Sequence, residues 1–345
     1  MPSPIPPRDK AVYFVGAGLS SAFGLPNTPS LITEAVSFSR LLRASWLAEE
    51  DFAAKLTRAF RFFYPDAMHA GFQPDVVDFF STLRTYLDVG AGLVGTGFTD
   101  APDLYRLLRR AISHLLIDRT RRLNVNDFAA HEYLTEMVSP GNAIITSNWD
   151  FLIEYFARLN GIPLRLTSRS RVFPENEVTL IKLHGSVDWC QVGSRVPLYD
   201  DGDYIALNDL QNGARRRQHA MPTGPEDILR VRTVSMKNAW TRIKTRSREP
   251  YIVTMATGKA DDLGPLRENW RDTYRALSRA QRLDIVGYSM PSDDVEIRTI
   301  LRTGLQRGDH HPIVTVRNPA PDVHYRVRNL LQRSARSRYV PIPGC

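Results

Sequence analysis

Cysteine is nearly absent from the 345-residue chain, which has Cys190 and Cys345 alone. Two thiols supply neither a disulfide framework nor a four-cysteine zinc site within one chain. Long apolar runs are missing too: none approaches the roughly 18 residues that cross a bilayer. The Pro-rich start "MPSPIPPRDK" lacks the apolar core of a secretory signal. These absences lead to the expectation of a cytoplasmic protein without metal or membrane contact, with residues 1–8 a disordered N-terminus. Acidic side chains are in the minority, 37 against 45 Lys and Arg, giving a net charge of +8. Most of the excess is arginine, densest in "GARRRQ" (213–218), "TRIKTRSREP" (241–250) and "LLQRSARSRYV" (330–340). Such patches attract nucleic acid or an acidic partner. No aromatic-interleaved recognition motif accompanies these clusters, so nucleic acid is a candidate that nothing further indicates.

Apolar residues make up 43% and charged residues 24% of the chain, ordinary for a globular protein with a sizeable core. "AVYFVGAG" (11–18) reads as a buried first strand ending in glycines. Helical spacing follows in 28–42, 74–87, 101–117 and 127–138. Strand character returns in "AIITS" (143–147) and "VTLIKLHG" (178–185), then in "YIVTMA" (251–256), "LDIVGYS" (283–289) and "PIVTVRN" (312–318). Helical patterns at 264–281, 293–306 and 320–334 separate or follow the last of these. Strands alternating with helices predict an α/β fold, a Rossmann-like, doubly wound and mostly parallel sheet. The expected organisation is one α/β domain over 9–340, with a helical insertion at 28–138 and an Arg-rich polar insertion at 190–250.

Polar residues gather where strands end, which is where open α/β sheets bind ligands. "GAGLSSAFGLP" places Gly16, Ala17 and Gly18 after the first strand, with Ser20 at a helix start; this suits a pyrophosphate or simply a tight turn. In "IITSNWDFLIEYF" (144–156), Asn148 and Asp150 end a strand, where they either cap the next helix or line a pocket. "KLHGSVDW" ends another strand in His184, a candidate general base, and Gly185 beside it leaves room for a substrate. "VGYSMPSDD" presents Gly287 and Ser289, and "VRNPAP" presents Asn318.

The order of these pieces resembles the sirtuin superfamily: "GAGLS…GLP", "TSNWD", "LHGS" and "VGYSMP" fall in the right sequence across residues 11–318. The segments "SNWDFLIE" and "LHGSVDW" look closer to bacterial sirtuin-like NAD-consuming domains than to the protein deacetylases. Two departures separate the chain from the protein deacetylases. Residues 190–250 hold one cysteine, so the two CxxC pairs of a structural zinc are absent, and Ser147 stands where the deacetylases carry Gln before the catalytic Asn.

That resemblance implies a NAD+ hydrolase, with NAD as substrate and no metal. Asn148 and His184 would be catalytic, Asp150 would hold the nicotinamide carboxamide, and Gly16, Ala17, Gly18 and Ser20 would surround the pyrophosphate. Gly287, Ser289 and Asn318 would face the adenosine half. The products would be nicotinamide and ADP-ribose, and the context a prokaryotic anti-phage, abortive-infection effector switched on by a protein partner, such as a ring-forming ATPase, or by homo-oligomerisation. The alternatives are a NAD-dependent protein deacylase or ADP-ribosyltransferase, and a non-catalytic module that senses NAD or ADP-ribose.

Overall fold

Five consecutive apolar residues, "AVYFV", are all buried and form the central strand of a sheet. In the computed structural model, the described residues are 11–42, 52–65, 75–90, 100–124, 131–166, 175–191, 204–206, 228–231, 250–256, 261–306, 312–331 and 336–340. The Pro-rich start and the Arg clusters at 213–218 and 241–249 lie outside them. In chain order the strands are β1 (Ala11–Val15), β2 (Ala143–Thr146), β3 (Leu164–Leu166), β4 (Val178–Lys182), β5 (Gly185–Gln191), β6 (Tyr204–Ala206), β7 (Ile228–Val231), β8 (Pro250–Ile252), β9 (Arg282–Val286), β10 (Ile313–Arg317) and β11 (Arg336–Val340). The α-helices are α1 (Ala17–Ala22), α2 (Leu31–Leu42), α3 (Phe52–Phe63), α4 (Val76–Thr85), α5 (Ala101–Arg122), α6 (His131–Met137), α7 (Leu152–Leu159), α8 (Arg267–Ser278), α9 (Val295–Gln306) and α10 (Pro321–Leu331).

The chain divides into two compact units. Met1–Leu25, Leu123–Leu183 and Leu266–Cys345 form the first; Pro26–Arg122 and His184–Pro265 form the second. The α6 segment, within the 28–138 stretch read as a helical insertion, falls in the first unit. The helical and polar segments also share the second unit.

The first unit is built on a seven-stranded sheet ordered β11-β10-β9-β1-β2-β4-β3. Every pairing in it is parallel. Alternate residues face opposite sides of such a sheet. Val12 and Phe14, in register with Ala143 and Ile145 and with Leu283 and Ile285, turn to one side. There they join Val314 and Val316, together with Leu277 of α8, Ile297 and Leu301 of α9, and Val323 and Val327 of α10, in one apolar cluster. The other face is partly polar. Tyr13 and Asp284 are paired across β1 and β9, and Arg282 bonds both Asp284 (2.7 Å) and Glu136 of α6 (2.6 Å). This is the doubly wound architecture that the alternating pattern implied.

The second unit carries the helices α2 to α5 and an antiparallel sheet ordered β6-β7-β5-β8. α5 is its long buried helix, with Leu104, Leu107, Leu108, Ala111, Ile112 and Leu115 all almost fully buried. Tyr105 and Thr254 hydroxyls meet at 2.8 Å, and Arg109 Nη2 donates to the Pro250 carbonyl at 2.6 Å, fastening α5 to β8 and the residues after it. The run 251–256 was expected in the parallel sheet. Instead β8 pairs antiparallel with β5, because an apolar run does not encode which sheet receives it.

Candidate active site

In the first unit, β1 has β2, β4 and β3 on one side and β9, β10 and β11 on the other. The strand order therefore reverses between β1 and β9, a topological switch point where ligands of such sheets bind. The turn after β1 and the turn after β9 meet there. Gly16 N donates to Val286 O at 2.9 Å, and Gly18 N donates to Gly287 O at 2.8 Å. The approach is so close that side chains do not fit: a Cβ at Gly16 would lie 2.6 Å from Tyr288 Cα, and one at Gly18 would lie 2.8 Å from Gly287 Cα. Glycine is needed here for backbone-to-backbone packing. The Gly16 and Gly18 amides, which the sequence offered to a pyrophosphate or to a tight turn, each already have a carbonyl partner. The Ala17 amide has no backbone carbonyl bonded to it among the described residues.

Beside this junction, residues from β2's end turn inward. Asn148 Nδ2 donates to Gly16 O (3.0 Å) and to Ser20 Oγ (3.0 Å), and Ser20 Oγ donates to Asp150 Oδ2 (2.7 Å). The direction of this relay follows from chemistry. A carbonyl accepts only, so the amide nitrogen of Asn148 faces Gly16; a carboxylate accepts only, so the Ser20 proton points at Asp150. All three side chains are buried, at 9% exposure for Asn148, 8% for Asp150 and 2% for Ser20. Both Asn148 donors bond within the protein, while its Oδ1 accepts from no group among the described residues. Thr146 supports the turn, its Oγ1 donating to Val15 O (3.1 Å) and accepting from Asn148 N (3.0 Å).

Asp150 does two jobs. Its Oδ1 accepts from Leu152 N at 3.0 Å, an i to i+2 bond that shapes the entry to α7, whose N-cap residue is Phe151. Asn148 caps nothing. The Asp150 carbonyl also receives the Lys182 ammonium at 2.5 Å, and Lys182 pairs with Glu154 of α7 at 3.1 Å. Neither side chain of that pair is more than 5% exposed. Sequence reasoning passed over Lys182 and Glu154. A lone Lys inside the apolar run "VTLIKL" and a Glu on the apolar stripe of "FLIEYF" were the available signals.

The remaining candidates are placed as follows. Asn318, buried after β10, bonds the Ala320 amide through Oδ1 (2.9 Å) and reaches Tyr288 O through Nδ2 (3.4 Å), so it shapes the turn into α10 and ties it to the Gly287 turn. Ser289 is exposed. Between them Tyr288 donates to Asp294 at 2.6 Å, and burial followed by that carboxylate pushes its phenol well up. Met290 next to this turn holds φ at 52°, left-handed backbone that non-glycine residues seldom adopt.

His184 belongs to the second unit, where it is buried at 3% exposure and its carbonyl accepts from Val253 N at 2.9 Å. The neighbouring Gly185 does not hold room open for a substrate. Its φ is +74°, and a Cβ there would fall on the Tyr251 carbonyl oxygen. Among the described residues no group of His, Cys, Asp and Glu could hold a metal ion, and no helix is long and apolar enough to cross a membrane.

Comparison with models of known protein families finds no match, and comparison with curated proteins finds none either. Fold and site together define a doubly wound α/β protein with a polar relay at its switch point.

Proposed function

We propose that the relay at the switch point binds NAD+ and hydrolyses its nicotinamide–ribose bond, giving nicotinamide, ADP-ribose and a proton. One observation carries this reading: Asn148 is held at both donors by Gly16 and Ser20 and keeps its Oδ1 as an acceptor at the carboxyl end of β2. The order of the four motifs, which resembles the sirtuin superfamily, supports the choice of NAD+.

The chemistry asked of these residues is modest. Departure of nicotinamide leaves an oxocarbenium-like ribose, which water attacks. Asn148 Oδ1 accepts from a ribose hydroxyl or from that water. Asp150 retains lone pairs beyond those used by Ser20 and Leu152, and accepts from the carboxamide N–H. The Ala17 amide and the exposed Ser289 hydroxyl are left as donors toward phosphate and adenosine. The base implied by the resemblance is His184, and its contribution is typically about 10²–10⁴-fold. An abortive-infection role with activation by a partner ring ATPase or by self-assembly belongs to the same proposal.

The test is release of nicotinamide from NAD+ alone, without any acylated peptide, measured with ADP-ribose formation and NAD+ affinity. Asn148→Ala is expected to lose roughly 10²-fold or more in turnover through lost positioning; losing its two buried bonds lowers the melting temperature somewhat, and a retained cooperative melt shows that the variant is folded. His184→Ala is expected to fall by a similar factor. A folded Asn148→Ala protein that releases nicotinamide at the parental rate sinks the proposal. NAD+ binding without any release by the parent protein would instead assign the site to a sensor.

A further inference from the structure

Helix α8 carries a four-residue rhythm, "RENW RDTY RALS R" over 267–279, that the sequence reading took only as a helical pattern. Arginine recurs at 267, 271, 275 and 279, each step directly preceded by Trp270, Tyr274 or Ser278. On an α-helix a step of four residues climbs about 6 Å and returns to nearly the same face. The structure puts the consequence on the surface of the first unit: a groove of about 640 Å³ whose lining is this one stripe. Arg267, Arg271 and Arg279 are exposed and Arg275 is half-buried. Trp270 and Tyr274 pack against the apolar cluster under the sheet, and they also line the groove.

We propose that this stripe is a binding site for single-stranded nucleic acid. Its charge demands a polyanion. A second copy of this chain, at net +8, is a poor match in sign. An acidic peptide would satisfy the guanidiniums but has no use for aromatic rings set between them. Single strands use both features, phosphates against cations and bases against aromatic faces or planar guanidiniums, and the stacking tolerates any sequence. The roughly 6 Å rise between successive arginines also suits consecutive phosphates of an extended strand.

The pairing of these arginines leaves them available. Arg271 is bonded to Glu268 and Arg275 to Asp272 at 2.6 Å, each three residues apart within the helix. A guanidinium has five N–H donors, so one carboxylate fixes its plane and leaves further donors for phosphate. Asp272 is a weak competitor: burial raises its carboxyl, and its Oδ2 has no bonded partner among the described residues. Arg267 and Arg279, at the two ends of the stripe, pair with no carboxylate among the described residues.

The experiment is fluorescence polarisation of a labelled oligo-dT, titrated with the full-length protein at several salt concentrations. Arg267→Glu/Arg279→Glu is the test variant. Both residues are exposed, so its melting temperature should match the parent's, which is measured alongside. Binding by the parent that weakens with salt is expected. The variant should bind at least 10-fold more weakly, and its slope of log affinity against log salt should be shallower by about 1.4, at roughly 0.7 per lost contact on a single strand. Arg267→Lys/Arg279→Lys should keep most of the binding. Oligo-dT affinity unchanged in the Glu variant overturns the proposal, as does a parent protein that binds polyglutamate of equal length but not oligo-dT. Neither outcome bears on NAD+ cleavage, which is read from separate residues.

Discussion

Ser20 shows most directly how one atom joins two others. Its hydroxyl accepts from Asn148 and donates to Asp150, so removing it leaves a buried amide hydrogen and a buried carboxylate oxygen each short of a partner. A buried group stranded in this way costs about 1–3 kcal/mol. Ser20→Ala is therefore expected to lower unfolding stability by that amount in urea titration and to slow nicotinamide release about tenfold, since Asn148 keeps only its bond to Gly16. Ser20→Thr retains the hydroxyl and should restore much of the turnover. A Ser20→Ala protein as stable and as active as the parent would show that the relay is not made in solution. The residue types of this relay were legible in the sequence: a hydroxyl, an amide and a carboxylate at two strand ends. Their pairing was not, because 128 and 130 residues separate Ser20 from its two partners. Gly16 and Gly18 read either as a pyrophosphate turn or as a tight turn, and Gly185 as room for a substrate; in the fold each faces another stretch of backbone at close range.

Among the elements, legibility followed burial. β1 announced itself as an unbroken apolar run, and β2, β4, β9 and β10 as mostly apolar ones, because most of their residues are buried. The sheet's two edges did not. β3 is three residues, "LRL", and β11 is "RSRYV", read in the sequence as part of an arginine cluster. An edge strand has a partner on one side alone, and charged residues there discourage further pairing, so the apolar signature is weak by construction. The buried link between β4 and α7 showed only as two charged residues in apolar patterns, and it makes a sharp prediction. Lys182→Met strands Glu154 in the interior without its cation, which typically costs about 3–5 kcal/mol. Lys182→Met/Glu154→Leu removes both charges and should recover most of the loss, short of the bond that Lys182 gives to the Asp150 carbonyl. Urea midpoints of the parent, the single and the double variant check this. A single variant within about 1 kcal/mol of the parent contradicts a buried pair, since that is the range of exposed ones.

For the molecule as a whole, the consequence lies in how the chain is divided. The second unit is assembled from Pro26–Arg122 and His184–Pro265, two segments separated by 61 residues that belong to the first unit. Neither segment holds a complete structure by itself. The first supplies α2 to α5, and the second supplies every strand of the antiparallel sheet on which α5 is fastened. Leu104, Leu107, Leu108 and Leu115 of α5 are buried to zero exposure, and amphipathic helices draw most of their stability from such packing rather than from propensity. Residues 26–122 expressed alone should therefore give weak helical circular dichroism and a broad, non-cooperative melt. Co-expressed with residues 184–265, they should co-purify and melt cooperatively, with the Tyr105–Thr254 and Arg109–Pro250 bonds restored. Tyr105→Phe/Arg109→Met in the co-expressed pair should lower that melt, because both bonds cross from one segment to the other. A fragment 26–122 that melts cooperatively without its companion would show that the helices form a domain of their own, and the second unit would have to be redrawn as a helical insertion plus a separate sheet.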